Sequence, residues 1–162
     1  MLRPGPPTLP TGLKGTQTAS ARLRIIESSA TSIGPLTVHK QIIHTAQAPS
    51  STLFSQAVKV GPTIYVSGIV GIDPTTNQMA GSTIQEQTHQ ALVNCEHILR
   101  AAGATRENIV EVQVLLTHPT DFAGLNEAYS KFFPEDPPAR SVAKLGVELP
   151  NVLVSIKLTA VL

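Results

Sequence analysis

The chain has 162 residues, of which 41% are hydrophobic and 14% charged; 12 basic residues stand against 11 acidic ones, for a formal net charge of +1. This length supports one domain with a short appendage, and the charge balance argues against a dedicated nucleic-acid binder. One cysteine excludes a disulfide framework or a cysteine-built zinc site, and no apolar run approaches the ~20 residues of a membrane span, so the composition is that of a soluble, intracellular-type globular domain.

The charge is unevenly spread. Residues 1–50 hold five basic residues and one acid, Glu27, a net +4, whereas residues 51–162 hold seven basic and ten acidic residues, a net −3. Residues 1–38 carry four prolines in the first ten positions, then Ser, Thr and Gly without sustained apolar periodicity. Such a segment buries too little apolar surface to offset its ordering entropy and is expected to be a disordered extension. Acid-free up to Glu27, with spaced Arg and Lys, it also resembles a mitochondrial presequence. Pro4, Pro6, Pro7 and Pro10 confine any amphipathic helix to about Thr18–Ser29. The expected location is cytoplasmic, or mitochondrial if the extension is a presequence.

The folded domain is expected over residues 39–162. Gln41–His44 is a short strand candidate. Phe54–Val60 alternates and joins Ile64–Ser67 through Gly61-Pro62-Thr63, a hairpin. A loop marked by Gly71, Asp73-Pro74 and Asn77 follows. From Ser82 to Ala102, Ile84, Thr88, Ala91, Leu92, Cys95, Ile98 and Leu99 recur at spacings of three and four, which predicts a helix. Ser82 with Gln85 fits a capping box at its start, and Gly103 a left-handed residue after its end. Ile109–Thr117 reads as a strand, and a second helix runs from Thr120 or Asp121 to Phe133, with Phe122, Leu125, Tyr129 and Phe132 on its inner face. Arg140–Val147 and Val152–Leu162 are the last two strands. In the final one Val152, Val154, Ile156, Leu158 and Ala160 point one way, and Ser155 lies on the other side. The order β-β-β-α-β-α-β-β predicts an α+β fold, a mixed sheet with both helices on one face. The opposite face still carries Val, Leu and Ala, so a second copy of the chain is expected to cover it, with functional crevices between subunits.

Few residues present recognisable chemistry. The sequence has no Walker-type loop, no GxGxxG after a strand, no HExxH and no CxxC, and the five histidines are spaced too widely to form a ligand set. No metal and no cofactor is therefore expected. Cys95 falls on the apolar stripe of the long helix and reads as a small core residue. The informative stretch is Pro137-Pro138-Ala139-Arg140-Ser141. Two prolines fix the approach to Arg140, whose planar fork suits bidentate capture of a carboxylate, with a surface or interface ion pair as the plain alternative. Ser67-Gly68 at a strand end is a second candidate for holding a polar ligand group, though a simple turn explains it equally well.

The Gly61–Gly68 hairpin, Ala101-Ala102-Gly103, the run Asp121–Tyr129 (DFAGLNEAY) and Pro138-Ala139-Arg140-Ser141 together resemble the RidA (YjgF/YER057c/UK114) family over about Lys40–Leu162. The resemblance implies a chorismate-mutase-like fold, a homotrimer with ligand clefts at the subunit interfaces, and hydrolysis of small imines or enamines of amino acids to a 2-keto acid and ammonia. Arg140 matches the arginine that anchors the substrate carboxylate, Asn126 the asparagine of the second helix, and Ser67 the serine lining the cleft. Three positions depart: Phe54 stands where a tyrosine is usual, Val142 where many members have cysteine, and Ser155 where a glutamate positions or activates water. Ser155 can orient a water but cannot act as a base near neutral pH. Arg140, Ser67, Asn126 and Phe54 are thus the expected substrate-binding residues and Ser155 the expected catalytic one. The alternatives are a divergent member acting in a specialised biosynthetic pathway and a non-catalytic, carboxylate-binding trimer. A ribonuclease role, attributed to some relatives, fits poorly with the net −3 of residues 51–162 and the lack of a basic stripe.

Overall fold

A computed structural model describes residues 39–162 of the chain. The expectations of a disordered extension and of a presequence fall on residues 1–38, outside the described residues. The sheet is built from β1 (Lys40–Ile43), β2 (Ala57–Val60), β3 (Thr63–Val70), β6 (Ile109–Leu116), β7 (Ala139–Lys144) and β8 (Val154–Val161), in the order β1-β2-β3-β8-β6-β7. All neighbours run antiparallel except β6 and β7, which are parallel. Helices α1 (Ile84–Ala101) and α2 (Phe122–Phe132) pack against each other and cover one face, as the element order requires. Among the described residues no helix is long and apolar enough to cross a membrane.

The period-two pattern of β8 decides which side is core. Val154, Ile156, Leu158 and Ala160 are at most 1% exposed and meet Ile64 and Val66 of β3, Val112, Val114 and Leu116 of β6, and Leu92, Cys95, Ile98 and Leu99 of α1. The other face is open. Tyr65 and Val161 are exposed there, while Val58 and Leu115 are half-buried.

Several boundaries differ from the sequence expectation for identifiable reasons. The helix cap lies one residue later than Ser82. Thr83 directly precedes the first helical residue, its hydroxyl accepts from the Glu86 N–H at 3.3 Å, and Glu86 accepts from the Thr83 N–H at 3.0 Å. The strand expected from Phe54 begins only at Ala57, because Gln56 is turned inward. Its amide accepts from the Thr45 N–H and donates to the carbonyls of Thr45, Ala48 and Pro49, at 2.7–3.0 Å. One buried side chain thereby satisfies a loop that no strand can pair. The expected loop after β3 contains a two-stranded ribbon, β4 (Ile72–Asp73) with β5 (Gln78–Met79), turned at Asn77 in the left-handed region. Strand β7 stops at Lys144 rather than Val147, since its partner β6 ends at Leu116. Gly103 follows α1 with φ +83°, the left-handed ending expected of it.

Two polar devices, one of them buried, set the strands that the site uses. Gln87 of α1 donates to the carbonyls of Gly81 and Asn151 and accepts from the Leu153 N–H, fixing the entry to β8. Arg106 donates to the Phe132 carbonyl at 2.9 Å, lies 4.1 Å over the Phe132 ring and shares Glu96 with Arg100, fixing the end of α2 from which the chain turns into β7. Replacing Gln87 by Leu leaves the Leu153 N–H and two carbonyls without partners. Chemical denaturation is expected to show a loss of about 2–3 kcal/mol, and an unchanged midpoint would show that Gln87 is dispensable.

Candidate functional site

The prolines before β7 deliver Arg140 to the edge of the sheet with a defined direction. Its register partner is Val112, so its side chain leaves β7 on the side of the helices, where α2 lies beside it. Asn126, Tyr129 and Ser130, at i, i+3 and i+4 on α2, face it. The Arg140 guanidinium sits 4.6 Å from the centre of the Tyr129 ring and 6.0 Å from that of Phe122, within the range of cation–π attraction. None of the ion pairs among the described residues includes Arg140. The plain alternative of an ion pair within the chain is therefore not what holds it.

Between these side chains is a cleft of about 350 Å³, walled by Phe133, Pro137 and Pro138 as well. Behind the cleft wall, the Tyr129 hydroxyl and Asn126 Oδ1 are both buried and unbonded among the described residues. Burial pushes the Tyr129 phenol above its ordinary pKa, against a smaller opposing pull from Arg140, so it keeps its proton. Further along the same side of β7, Val142 lines a second, apolar cavity with Leu116, Pro119 and Phe122.

Ser67, Ser155 and Phe54 lie elsewhere. Between Val66 and Ile69 the register of β3 against β8 shifts, so Ser67 and Gly68 together oppose a single residue of β8. In the bulge Ser67 donates its hydroxyl to the Ser55 carbonyl at 2.7 Å and its N–H to the Gln56 carbonyl at 3.0 Å. Ser67 is thus a clamp on the segment that carries Phe54. Ser155 is 8% exposed although it points away from the helix side, because the bulge folds over it. A Cβ at Gly68 would come within 2.9 Å of Ser155 Oγ, so glycine lets the bulge approach that hydroxyl. Phe54, half exposed, lines a cavity of about 550 Å³ with residues 50–56 and the end of β1.

The five expected site residues therefore form two groups. Arg140 and Asn126 share the cleft on the helix side of the β7 edge. Ser155 meets the Ser67–Gly68 bulge on the opposite face, and Ser67 ties the segment that carries Phe54 to that bulge. Ser155 aligns with Leu115 and Ala143, three positions beyond Arg140 and two strands away. The separation is about 14 Å at ~3.3 Å per residue and ~4.8 Å per strand, with the sheet between them. Tyr129 was legible only as an inner-face helix residue. Its i+3 spacing from Asn126 is the signal that links it to the cleft.

Comparison with known proteins places the chain in a family. The family model described as Endoribonuclease L-PSP matches residues 45–162. The chain belongs to that family, the RidA (YjgF) family. It is 37% identical over 123 residues to the 2-iminobutanoate/2-iminopropanoate deaminase of Homo sapiens, covering 75% of this chain and 90% of that one. It is 33% identical over 132 residues to Reactive Intermediate Deaminase A, chloroplastic, of Arabidopsis thaliana, covering 81% and 71%. The solved structure of RidA from the Antarctic bacterium Psychrobacter superimposes with a TM-score of 0.71 at 35% identity, over 75% of this chain and 99% of that one. The α+β fold of this chain, a mixed sheet with two helices on one face, is the RidA-type fold.

Cys95, buried at 1% exposure beneath β8, is no part of either group, and burial pushes its thiol far above the ordinary range. A thiol reagent at pH 8 is expected to leave the native protein unmodified and to titrate one thiol after unfolding. Modification of the native protein would show a reactive thiolate.

Proposed function

We propose that this RidA-family protein hydrolyses small carboxylate-bearing imines or enamines to a 2-keto acid and ammonia, in clefts assembled between copies of the chain. The observation that carries the proposal is Arg140: a guanidinium stacked on Tyr129, outside every ion pair among the described residues, lining an open cleft. Such an arginine is held ready for an anion that the chain itself does not supply. The human and Arabidopsis relatives named above are deaminases of this class, which agrees with it.

The chemistry follows from the substrate. An enamine takes a proton on carbon to become the iminium, water adds to the iminium carbon, and the carbinolamine expels ammonia: R–C(=NH₂⁺)–COO⁻ + H₂O gives R–CO–COO⁻ + NH₄⁺. Arg140 anchors the carboxylate and fixes where the carbon lies. Ser155, beside the Gly68 bulge, orients the water by hydrogen bonding, and Phe54 supplies an apolar wall. Glu127, adjacent to Asn126, does not serve as the base. It is tied to Lys131 at 2.7 Å and to Gln85 at 3.2 Å, and these contacts hold its carboxyl below the usual range. The water is therefore positioned rather than deprotonated, an orientation effect acting on an already electrophilic carbon.

The separation of the two groups bears on assembly. An anchored substrate at Arg140 cannot reach Ser155 of the same chain across the sheet. A second copy whose bulge faces the Arg140 cleft brings them together, and the homotrimer of the sequence expectation, with its open faces packed inward, is the arrangement we favour.

With 2-iminobutanoate generated in situ, the wild type is expected to accelerate keto acid formation over buffer, and Arg140→Ala to lower kcat/KM by about 10²-fold. Ser155→Glu restores a base and is expected to raise kcat by about 10–10²-fold. No acceleration by the wild type, with Arg140→Ala identical to it, overturns the assignment and leaves a carboxylate-binding trimer.

A further inference from the structure

Arg140, Val142 and Lys144 stand at alternate positions of β7, opposite Val112, Val114 and Leu116 of β6. Those three partners are buried core residues, so all three β7 side chains leave the sheet on the helix side, in a row beside α2. Among the described residues no strand lies beyond β7, and the row runs along an open edge.

The Arg140 cleft continues along this row. The Phe122 ring, 6.0 Å from the guanidinium, walls the second cavity, also of about 350 Å³, together with Leu116, Pro119 and Val142. Val142, standing where many members have cysteine, gives that cavity a wall with no polar side-chain atom. No acidic side chain lines it, and its one charged lining residue is the exposed Lys144. Like Arg140, Lys144 belongs to none of the ion pairs among the described residues. The edge of β7 thus presents a cation, an apolar trough and a second cation, in that order.

We infer that the site takes dianionic substrates: imines or enamines of amino acids whose side chain ends in a second carboxylate. The first carboxylate rests on Arg140, the methylenes lie over Phe122 and Val142, and the second carboxylate reaches the Lys144 ammonium. The inference rests on the function proposed above and names its substrate class. The strand sets the length of chain that fits. Four residues separate the Arg140 and Lys144 Cα atoms by ~13 Å. The two carboxyl carbons of an extended six-carbon diacid lie ~6 Å apart with C–C bonds of ~1.5 Å, and the two long side chains span the remainder. A four-carbon diacid leaves its second carboxylate among the apolar walls without a partner, which is costly.

Calorimetric titration of the full chain with 2-ketobutanoate, 2-ketohexanoate and 2-ketohexanedioate tests the inference, since the three share the anchored end. The wild type is expected to bind 2-ketohexanoate about ten-fold more tightly than 2-ketobutanoate, for two buried methylenes. It is expected to bind 2-ketohexanedioate about five- to ten-fold more tightly again, for one hydrogen bond between charged groups, and added salt narrows that second gap. Lys144→Gln brings the dianion to the level of 2-ketohexanoate or below and leaves both monoanions unchanged. Val142→Phe fills the trough, weakening both six-carbon acids and sparing 2-ketobutanoate. A wild type that binds the dianion no better than 2-ketohexanoate overturns the inference, as does a Lys144→Gln that lowers all three alike, the mark of a structural lysine. If Val142→Phe does not fold, the wild-type order and Lys144→Gln still decide. Preference for the dianion without turnover of 2-iminobutanoate refutes the proposed function alone, and turnover without that preference refutes this inference alone.

Discussion

Side chains leave a β-strand alternately to its two sides, and the register of β8, β6 and β7 turns that rule into a functional constraint. Arg140 aligns with Val112 and falls with the core side chains. Ser155 aligns with Leu115 and falls on the open face. No rotamer change joins them through a sheet whose core side chains are nearly fully buried. The function proposed above assigns each chain an anchoring half on α2 and β7 and a water-holding half at the β3 bulge. A reaction needing both halves needs two chains.

The remaining structure serves to hold the halves still. An arginine on an edge strand lacks a neighbouring strand on one side, and an exposed fork is entropically costly to fix. Here the Tyr129 ring supplies the missing wall, the two prolines limit the approach, and Arg106 ties down the end of α2. At the bulge, Ser67 and Gln56 do the equivalent work by satisfying backbone groups of the segment before β2. Glycine at position 68 leaves the room that a side chain would take from Ser155.

Much of this was legible in the sequence, and unevenly so. The pattern of β8 and the α1 stripe depend on burial of one face, a signal that repeats along the element, and both hold residue by residue. The cap of α1 lies one position later than Ser82, since Ser82 and Thr83 both satisfy the composition of a capping box and only the start of the helix decides between them. The Phe54–Val60 alternation overran the strand because the side chain of Gln56, a polar residue in an extended-looking run, is buried to serve a loop eleven residues earlier. Arg140, Asn126, Ser67, Phe54 and Ser155 could be singled out by motif and resemblance. Their division into two halves could not, because it depends on the pairing register of strands far apart in the chain. Tyr129 is hidden for another reason: a tyrosine on an apolar helix face reads as core, and only the Arg140 guanidinium 4.6 Å from its ring reveals a second role.

The account stands on the two halves meeting across chains, and mixing variants tests that most directly. Arg140→Ala disables one half and Ser155→Val the other, so either protein alone should turn over 2-iminobutanoate poorly. Unfolded together and refolded as mixed oligomers, they are expected to regain about a quarter of wild-type activity, the fraction of interfaces that pair two intact halves in a closed ring assembled at random. Recovery near that level supports a site shared between chains. Mixed oligomers no more active than their parents would contradict it.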